Sequence, residues 1–216
     1  RKIENIIIEM YQGHKTKTLE ARQNSDSCKS ILRIRIRKQI MSSTPKPYNE
    51  RSNSTGVNNK ELFVVIPTYW QGEKSRKSHP DDLVFDHPTF LDGDDTLSSS
   101  LESLARTESP RSFRVLVLSS AVHPSLEDEV IGAVDRIIER FKDRLRVGHF
   151  HARRLKEVQQ RLVALGFPND FLSLDGYASI RNCQLAIPAI LGSDVIAAID
   201  DDELVERDYP SRVLEH

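Results

Sequence analysis

The stretch from Gly192 to Leu204 constrains this chain more than any other. Val195, Ile196, Ala197, Ala198 and Ile199 run directly into Asp200, Asp201 and Asp202. Five consecutive apolar residues predict a strand buried on both faces, as in a sheet covered by helices. Adjacent carboxylates repel one another and lose solvation when buried, so folding alone does not ask for three of them. A divalent cation at the carboxyl end of the sheet would neutralise them, and that is where open α/β sheets bind ligands. Alternation along an extended chain points Asp200 and Asp202 to one side and Asp201 to the other. Two hard oxygen ligands with coordination positions left open suit Mg²⁺ or Mn²⁺ carrying a substrate's phosphates. The alternative for the same residues is a solvated acidic turn.

The rest of the chain supplies the strands such a sheet needs. Residues 62–66, Leu-Phe-Val-Val-Ile, form a continuous apolar run rich in β-formers. Pro67 is expected to end this strand, since proline cannot donate to a ladder, leaving Pro67, Thr68, Tyr69 and Trp70 as a loop at its carboxyl end. An aromatic ring and a hydroxyl there can stack on a base and bond its edge; otherwise the rings cover the sheet. A second strand is expected over residues 114–118, ending in Ser119 and Ser120, and a third over 144–150. Leu97, Leu101 and Leu104 recur at helical spacing behind Asp94 or Asp95 as a cap. Ser125-Leu126-Glu127-Asp128 resembles a capping box before an amphipathic helix reaching Phe141. Residues 152–165 read as helical. A further helix is expected over 180–191, capped by Ser179, with Arg181 and Asn182 in its first turn and a kink at Pro188. A helix amino end favours anions, and an arginine there adds a fork for phosphate; its other reading is a pair with an acid such as Asp175.

Other candidates carry less. Lys74, Arg76 and Lys77 put positive charge near the first strand's end. Asp86-His87 and the His149/His151 pair contain metal-ligand chemistry, without a third ligand beside either.

Charge divides the chain. Residues 1–60 hold 13 Lys and Arg against 5 Asp and Glu, whereas 61–216 hold 18 against 27. The domain is expected to occupy residues 61–216, behind a basic, disordered extension over 1–60 rich in Asn, Ser, Thr and Lys. An acidic domain argues against a broad nucleic-acid surface. Cys28 and Cys183 make neither a disulfide framework nor a zinc signature, which fits a reducing, cytoplasmic location. No apolar run reaches the length of a membrane span, and Ile6-Ile7-Ile8 is too short for the core of a secretion signal.

In this order the chain resembles the nucleotide-sugar-binding half of family 2 glycosyltransferases, which have the GT-A fold. Phe63-Val64-Val65-Ile66-Pro67-Thr68-Tyr69 is similar to that family's opening strand and "IPTYN" loop. Gly176-Tyr177-Ala178-Ser179-Ile180-Arg181-Asn182 is similar to its segment ending "ARN". Ala198-Ile199-Asp200-Asp201-Asp202-Glu203 is similar to the "LDADD" block that holds the DxD motif. The resemblance covers roughly residues 61–208. It implies a Rossmann-like, mostly parallel α/β sheet and transfer of a sugar from a nucleoside diphosphate sugar, UDP- or GDP-linked, to an acceptor.

Carried over by residue, Pro67, Thr68 and Tyr69 line the nucleoside pocket, with Ser119 at the end of the second strand. Arg181 lies near the donor phosphates with Asp200 and Asp201, and Asp200 and Asp202 are the metal pair, holding Mn²⁺ or Mg²⁺. Two departures stand out. Ser119 and Ser120 occupy the place of the acidic residues that the family uses at the base. The family's acceptor half, with its catalytic base, lies beyond His216, so the resemblance implies a chain truncated after its donor half. A haloacid-dehalogenase-like phosphatase, a nucleotidyltransferase and a noncatalytic nucleotide-binding module are the competing readings.

Overall fold

The computed structural model describes residues 60–164 and 166–215. The extension expected over residues 1–60 therefore lies outside the described residues, apart from Lys60. The domain is an α/β unit built on a parallel sheet flanked by helices. Its centre is β1 (Leu62–Gln71). Along one edge β1 pairs in parallel with β3 (Arg114–Ala121), from Phe63 opposite Arg114 to Trp70 opposite Ala121. Outside β3 lies β4 (Arg146–Phe150), also parallel. The two-residue β2 (Thr89–Phe90) pairs with Trp70 and Gln71, and β5 (Val195–Ala198) pairs with residues 62–65. Since β3 holds one edge of β1 throughout, β5 and β2 share the other edge in series. Chain connections thus leave β1 to opposite sides, which makes its carboxyl end a topological switch point.

β1 does not stop at Pro67, contrary to the expectation from proline's missing N–H. Backbone groups alternate between the two edges of a strand. Ile199 N–H donates to the Val65 carbonyl (3.1 Å), whereas Val122 N–H donates to that of Trp70 (2.8 Å). Pro67 therefore turns its nitrogen toward the β5 edge, just past the last paired residue of β5, and the β3 ladder loses nothing. Tyr69 and Trp70 accordingly lie in the strand and not in a loop.

The second correction concerns β5. It was expected to be buried on both faces, but Val195, Ile196 and Ala197 are half-buried and Ala198 is exposed. β5 pairs with β1 alone among the described strands, so an edge position leaves its apolar side chains partly uncovered.

The helices are α1 (Thr96–Ala105), α2 (Glu127–Glu139), α3 (Ala152–Ala164), α4 (Tyr177–Ile190) and α5 (Tyr209–Glu215). Asp95 caps α1, accepting from Ser98 N–H at 2.6 Å, and Leu97, Leu101 and Leu104 are buried as their spacing requires. Val130, Ile131, Val134, Ile137 and Ile138 form the buried stripe of α2, which packs on β3 and β4. The capping box expected at Ser125 does not form. A 3₁₀ turn (Pro124–Leu126) intervenes, and His123 accepts from Ser125 N–H instead. The third strand begins two residues later than expected.

Adjacent strand residues face opposite sides of a sheet. Ser119 reaches toward α2 and Ser120 toward Leu174, just before α4, so these helices cover opposite faces. α4 starts three residues earlier than expected, with Gly176 in the left-handed region (φ +85°) before its first turn. Ser179 is thus inside the helix, and Arg181 sits beyond the first turn. Among the described residues no helix is long and apolar enough to cross a membrane.

Candidate functional site

The three aspartates after β5 are not equivalent. The chain leaves its extended path and folds into a tight turn, closed by Glu203 N–H donating to the Asp200 carbonyl (3.1 Å). The Glu203 carboxylate accepts in return from Asp200 N–H (3.0 Å). Within this turn Asp201 goes inward: the Thr68 hydroxyl, fully buried in β1, donates to its carboxylate at 2.6 Å. Burial, as the largest cause, pushes the Asp201 carboxyl above its usual range; the Thr68 bond acts the other way. Asp200 and Asp202 remain exposed.

A second tie comes from α4. The Arg181 guanidinium lies 3.5 Å from the Asp200 carboxylate and donates to the Gln184 side chain at 3.3 Å. It also sits over the Tyr177 ring, 5.7 Å from its centre. Asp175, the other partner considered for Arg181, accepts instead from the Ser173 hydroxyl at 2.9 Å. Arg181, Asp200, Asp201 and Thr68 thus form one connected group at the carboxyl ends of β1 and β5. Tyr69, next in β1, stacks against Phe85 (4.6 Å between ring centres) and Tyr177 (5.4 Å). Its hydroxyl is buried without a hydrogen-bond partner among the described residues. Burial and the neighbouring Tyr177 push its pKa up to about 12.

Ser119 lies in a different part of the same end of the sheet. It lines a cleft with Ser120, Glu127, Ile131, His151 and Asp175 among its walls, and Thr68, Tyr69 and the aspartate turn are not part of that lining. The Ser119 hydroxyl is 2.7 Å from His149 Nε2, and His149 Nδ1 is 2.8 Å from the Asp135 carboxylate on α2. Burial, the largest cause, holds His149 below its ordinary pKa, against the pull of Asp135. Ser120 donates to the Leu174 carbonyl at 2.9 Å. His151 stands 4.7 Å from the His149 ring, ring centre to ring centre, and its Nδ1 is buried and unpartnered among the described residues. Burial and then His149 bring the pKa of His151 down to about 4.

His149 therefore serves a hydrogen-bonded chain from Ser119 to Asp135, with His151 beside it only through a ring contact, a connection that the sequence does not announce. Its members are 30 and 14 residues apart in sequence, so no local spacing announces them.

Among the described residues no group of three or more His, Cys, Asp or Glu side chains is placed to hold a metal ion. Asp200, beside Arg181, and Asp202 nonetheless offer exposed carboxylate oxygens. That donor set fits a cation arriving with a diphosphate, and a closed all-protein cage would need more ligands. The remaining candidates are placed elsewhere. Arg76 is forked onto Asp82 (2.8 and 2.7 Å), and His87 is exposed beside Asp86. Cys183 is buried, with its thiol donating to the Ser173 carbonyl, and burial raises its pKa to about 12. That environment makes it an inert core residue.

No family model matches the chain, and no curated protein matches it. Among solved structures it is similar to a mannosyltransferase, PcManGT from Pyrobaculum calidifontis, in complex with GDP-Man and Mn²⁺. The identity is 13%, the TM-score is 0.39, and the match covers 97% of this chain. The chain spans 42% of that protein's length.

Proposed function

We propose that this domain is the donor-binding half of a GT-A-type glycosyltransferase, which moves a sugar from a nucleoside diphosphate sugar to an acceptor. One observation carries the reading. Thr68 and Arg181, from two of the stretches that resemble the family, both hold the aspartate turn, which is the third. Sequence resemblance at three separated places thus converges on one connected group, at a switch point where α/β sheets take their ligands.

In this reading Pro67, Thr68 and Tyr69 back the nucleoside side of the site from within β1, where Thr68 and Tyr69 are buried, and Ser119 marks the side of the base. Arg181 turns from Asp200 toward the donor phosphates, and its planar fork suits a diphosphate. Asp201 positions the turn through Thr68. Asp200 and Asp202 would hold Mn²⁺ or Mg²⁺. A divalent ion supplies charge stabilisation to a departing diphosphate. The acceptor and the base that activates it belong to the whole enzyme.

Thermal-shift titration of the full chain with UDP- and GDP-sugars, with and without Mn²⁺, tests this. Stabilisation that needs nucleotide and metal together, and disappears in Asp202→Ala, is the expected result. Stabilisation by a phosphate mimic and Mg²⁺ alone favours a phosphatase and sinks the proposal.

A further inference from the structure

Ser119, His149 and Asp135 stand in the order nucleophile, base and orienting carboxylate, brought together from β3, β4 and α2. Asp135 offers a carboxylate, which only accepts, so His149 Nδ1 carries the proton of their 2.8 Å bond. The neutral ring then has a lone pair on Nε2, and burial favours the neutral form. The Ser119 hydroxyl, 2.7 Å away, donates to that lone pair. This is the tautomer in which an imidazole can take a proton from a serine. Ser120 gives the contrast. It sits at the same strand end, but its proton goes to the Leu174 carbonyl, which cannot act as a base.

The serine has only 3% of its surface open, and that lies in a cleft whose walls include Leu83, Pro124, Ile131 and Leu174. Helix α3 opens on the same cleft at Ala152. Its first N–H bonded back along the chain is that of Leu155, which meets the His151 carbonyl. The N–H groups of residues 152–154 therefore have no acceptor within the helix, and they are donors available to an oxygen that gains negative charge. Glu127 and Asp175 also border the cleft, and their charge disfavours an anionic substrate.

We infer that Ser119 is a nucleophile and that this cleft hydrolyses small uncharged esters, an activity separate from sugar transfer. Ser119 Oγ bonds to the carbonyl carbon while its proton passes to His149 Nε2. The tetrahedral centre then expels the alkoxide, which leaves as the alcohol with the His149 proton. Water repeats the sequence: it gives a proton to His149 and its hydroxyl to the acyl carbon, and Ser119 Oγ departs with the proton as the carboxylic acid is released. Ser119 and His149 are the catalytic residues, and Asp135 acts through His149 as a positioning residue. Thr68, Tyr69 and the aspartate turn do not line this cleft, so the inference does not depend on the donor-binding reading.

The test treats the full chain with a small alkyl fluorophosphonate and locates the modified peptide by mass spectrometry. Attack at phosphorus releases fluoride and leaves the phosphonyl group on the serine oxygen. The label is expected on Ser119 ahead of every other serine, and is expected to be absent from that peptide in Ser119→Ala. Asp135→Asn tests the positioning role. The Asp135 side chain is more than half exposed, so the melting temperature should hardly change. The new amide can donate to Nδ1, which favours the tautomer carrying its hydrogen on Nε2 and removes the base. Labelling is then expected to slow about 10- to 100-fold, short of the roughly 10⁴-fold loss for a buried triad aspartate because Asp135 is open to water. Hydrolysis of p-nitrophenyl acetate should fall in the same variants. A serine bonded to histidine only for stability has no such rate to lose. An unlabelled wild type, labelling spread over other serines, or an unchanged rate in Asp135→Asn overturns the inference. None of these results bears on nucleotide binding, so the donor-binding reading stands or falls by its own titration.

Discussion

The Thr68 hydroxyl donates to the Asp201 carboxylate across 2.6 Å, and this bond joins the middle of the central strand to the turn that follows the edge strand. Its acceptor is a carboxylate held above its usual pKa by burial. A carboxyl whose folded pKa exceeds its unfolded one binds more protons in the folded state. Stability then falls as pH rises from the unfolded value, about 3.9, through the folded one, and the full cost is present at neutral pH. Asp201→Asn keeps an oxygen for Thr68 and removes that cost. Its melting temperature is expected to exceed wild type at pH 7, with the gap closing toward pH 4. Asp201→Ala instead strands a fully buried hydroxyl and is expected to destabilise by about 1–3 kcal/mol. Thermal unfolding across pH checks both.

Asp200 and Asp202 are exposed and make no buried contact, so their removal is expected to leave folding almost unchanged. Metal-dependent nucleotide affinity should nevertheless drop by about 10- to 100-fold in Asp202→Ala, the scale seen when metal sites lose a supporting group. Calorimetry with Mn²⁺ paired with a melting curve separates the two effects. A variant that binds normally would remove Asp202 from the site.

Acid should weaken the fold through the paired histidines. His151 has a folded pKa near 4, and His149 is lowered as well, both chiefly by burial. For such groups the unfolded chain binds more protons, so their contribution is intact above about pH 6.5 and fades as pH falls toward 4. Melting temperature is expected to decline over that window. His151→Gln should flatten the decline; an unchanged slope would assign the acid sensitivity elsewhere.

Gly72 is buried beneath Arg76, and a Cβ there would come within 2.2 Å of the Arg76 Cδ. The arginine cannot retreat freely, because its fork is fixed on Asp82. Gly72→Ala is expected to cost about 1–3 kcal/mol, the usual range for overpacking. In chemical denaturation the cost should be largely absent when Arg76→Ala is already present, a double-mutant cycle with clear coupling.

The strands around the site were legible because continuous apolar runs such as residues 62–66 have few other uses in a chain of this composition. The run of three aspartates stood out because folding alone does not ask for adjacent carboxylates, but the extended alternation expected of it gives way to a tight turn. What escaped notice depended on three-dimensional partners. Whether Pro67 breaks a strand depends on which edge its nitrogen faces, and composition does not reveal an edge. The same ignorance made β5 read as an interior strand. Asp135 carries no signal of its own in the sequence, since His149 and Ser119 reach it only when β3, β4 and α2 are assembled. The reach of Arg181 to Asp200 was equally hidden, and its place in the helix was misjudged once Gly176 moved the start of α4.

Pro67 has a consequence for how the middle of the sheet is satisfied. β5 has its last paired residue opposite Val65 and β2 its first opposite Trp70, so among the described strands β1 has no partner on that edge in between. Residues 66–69 are nevertheless buried. A buried amide hydrogen with no carbonyl to meet would carry a desolvation penalty, and a pyrrolidine ring at that point has no hydrogen to strand.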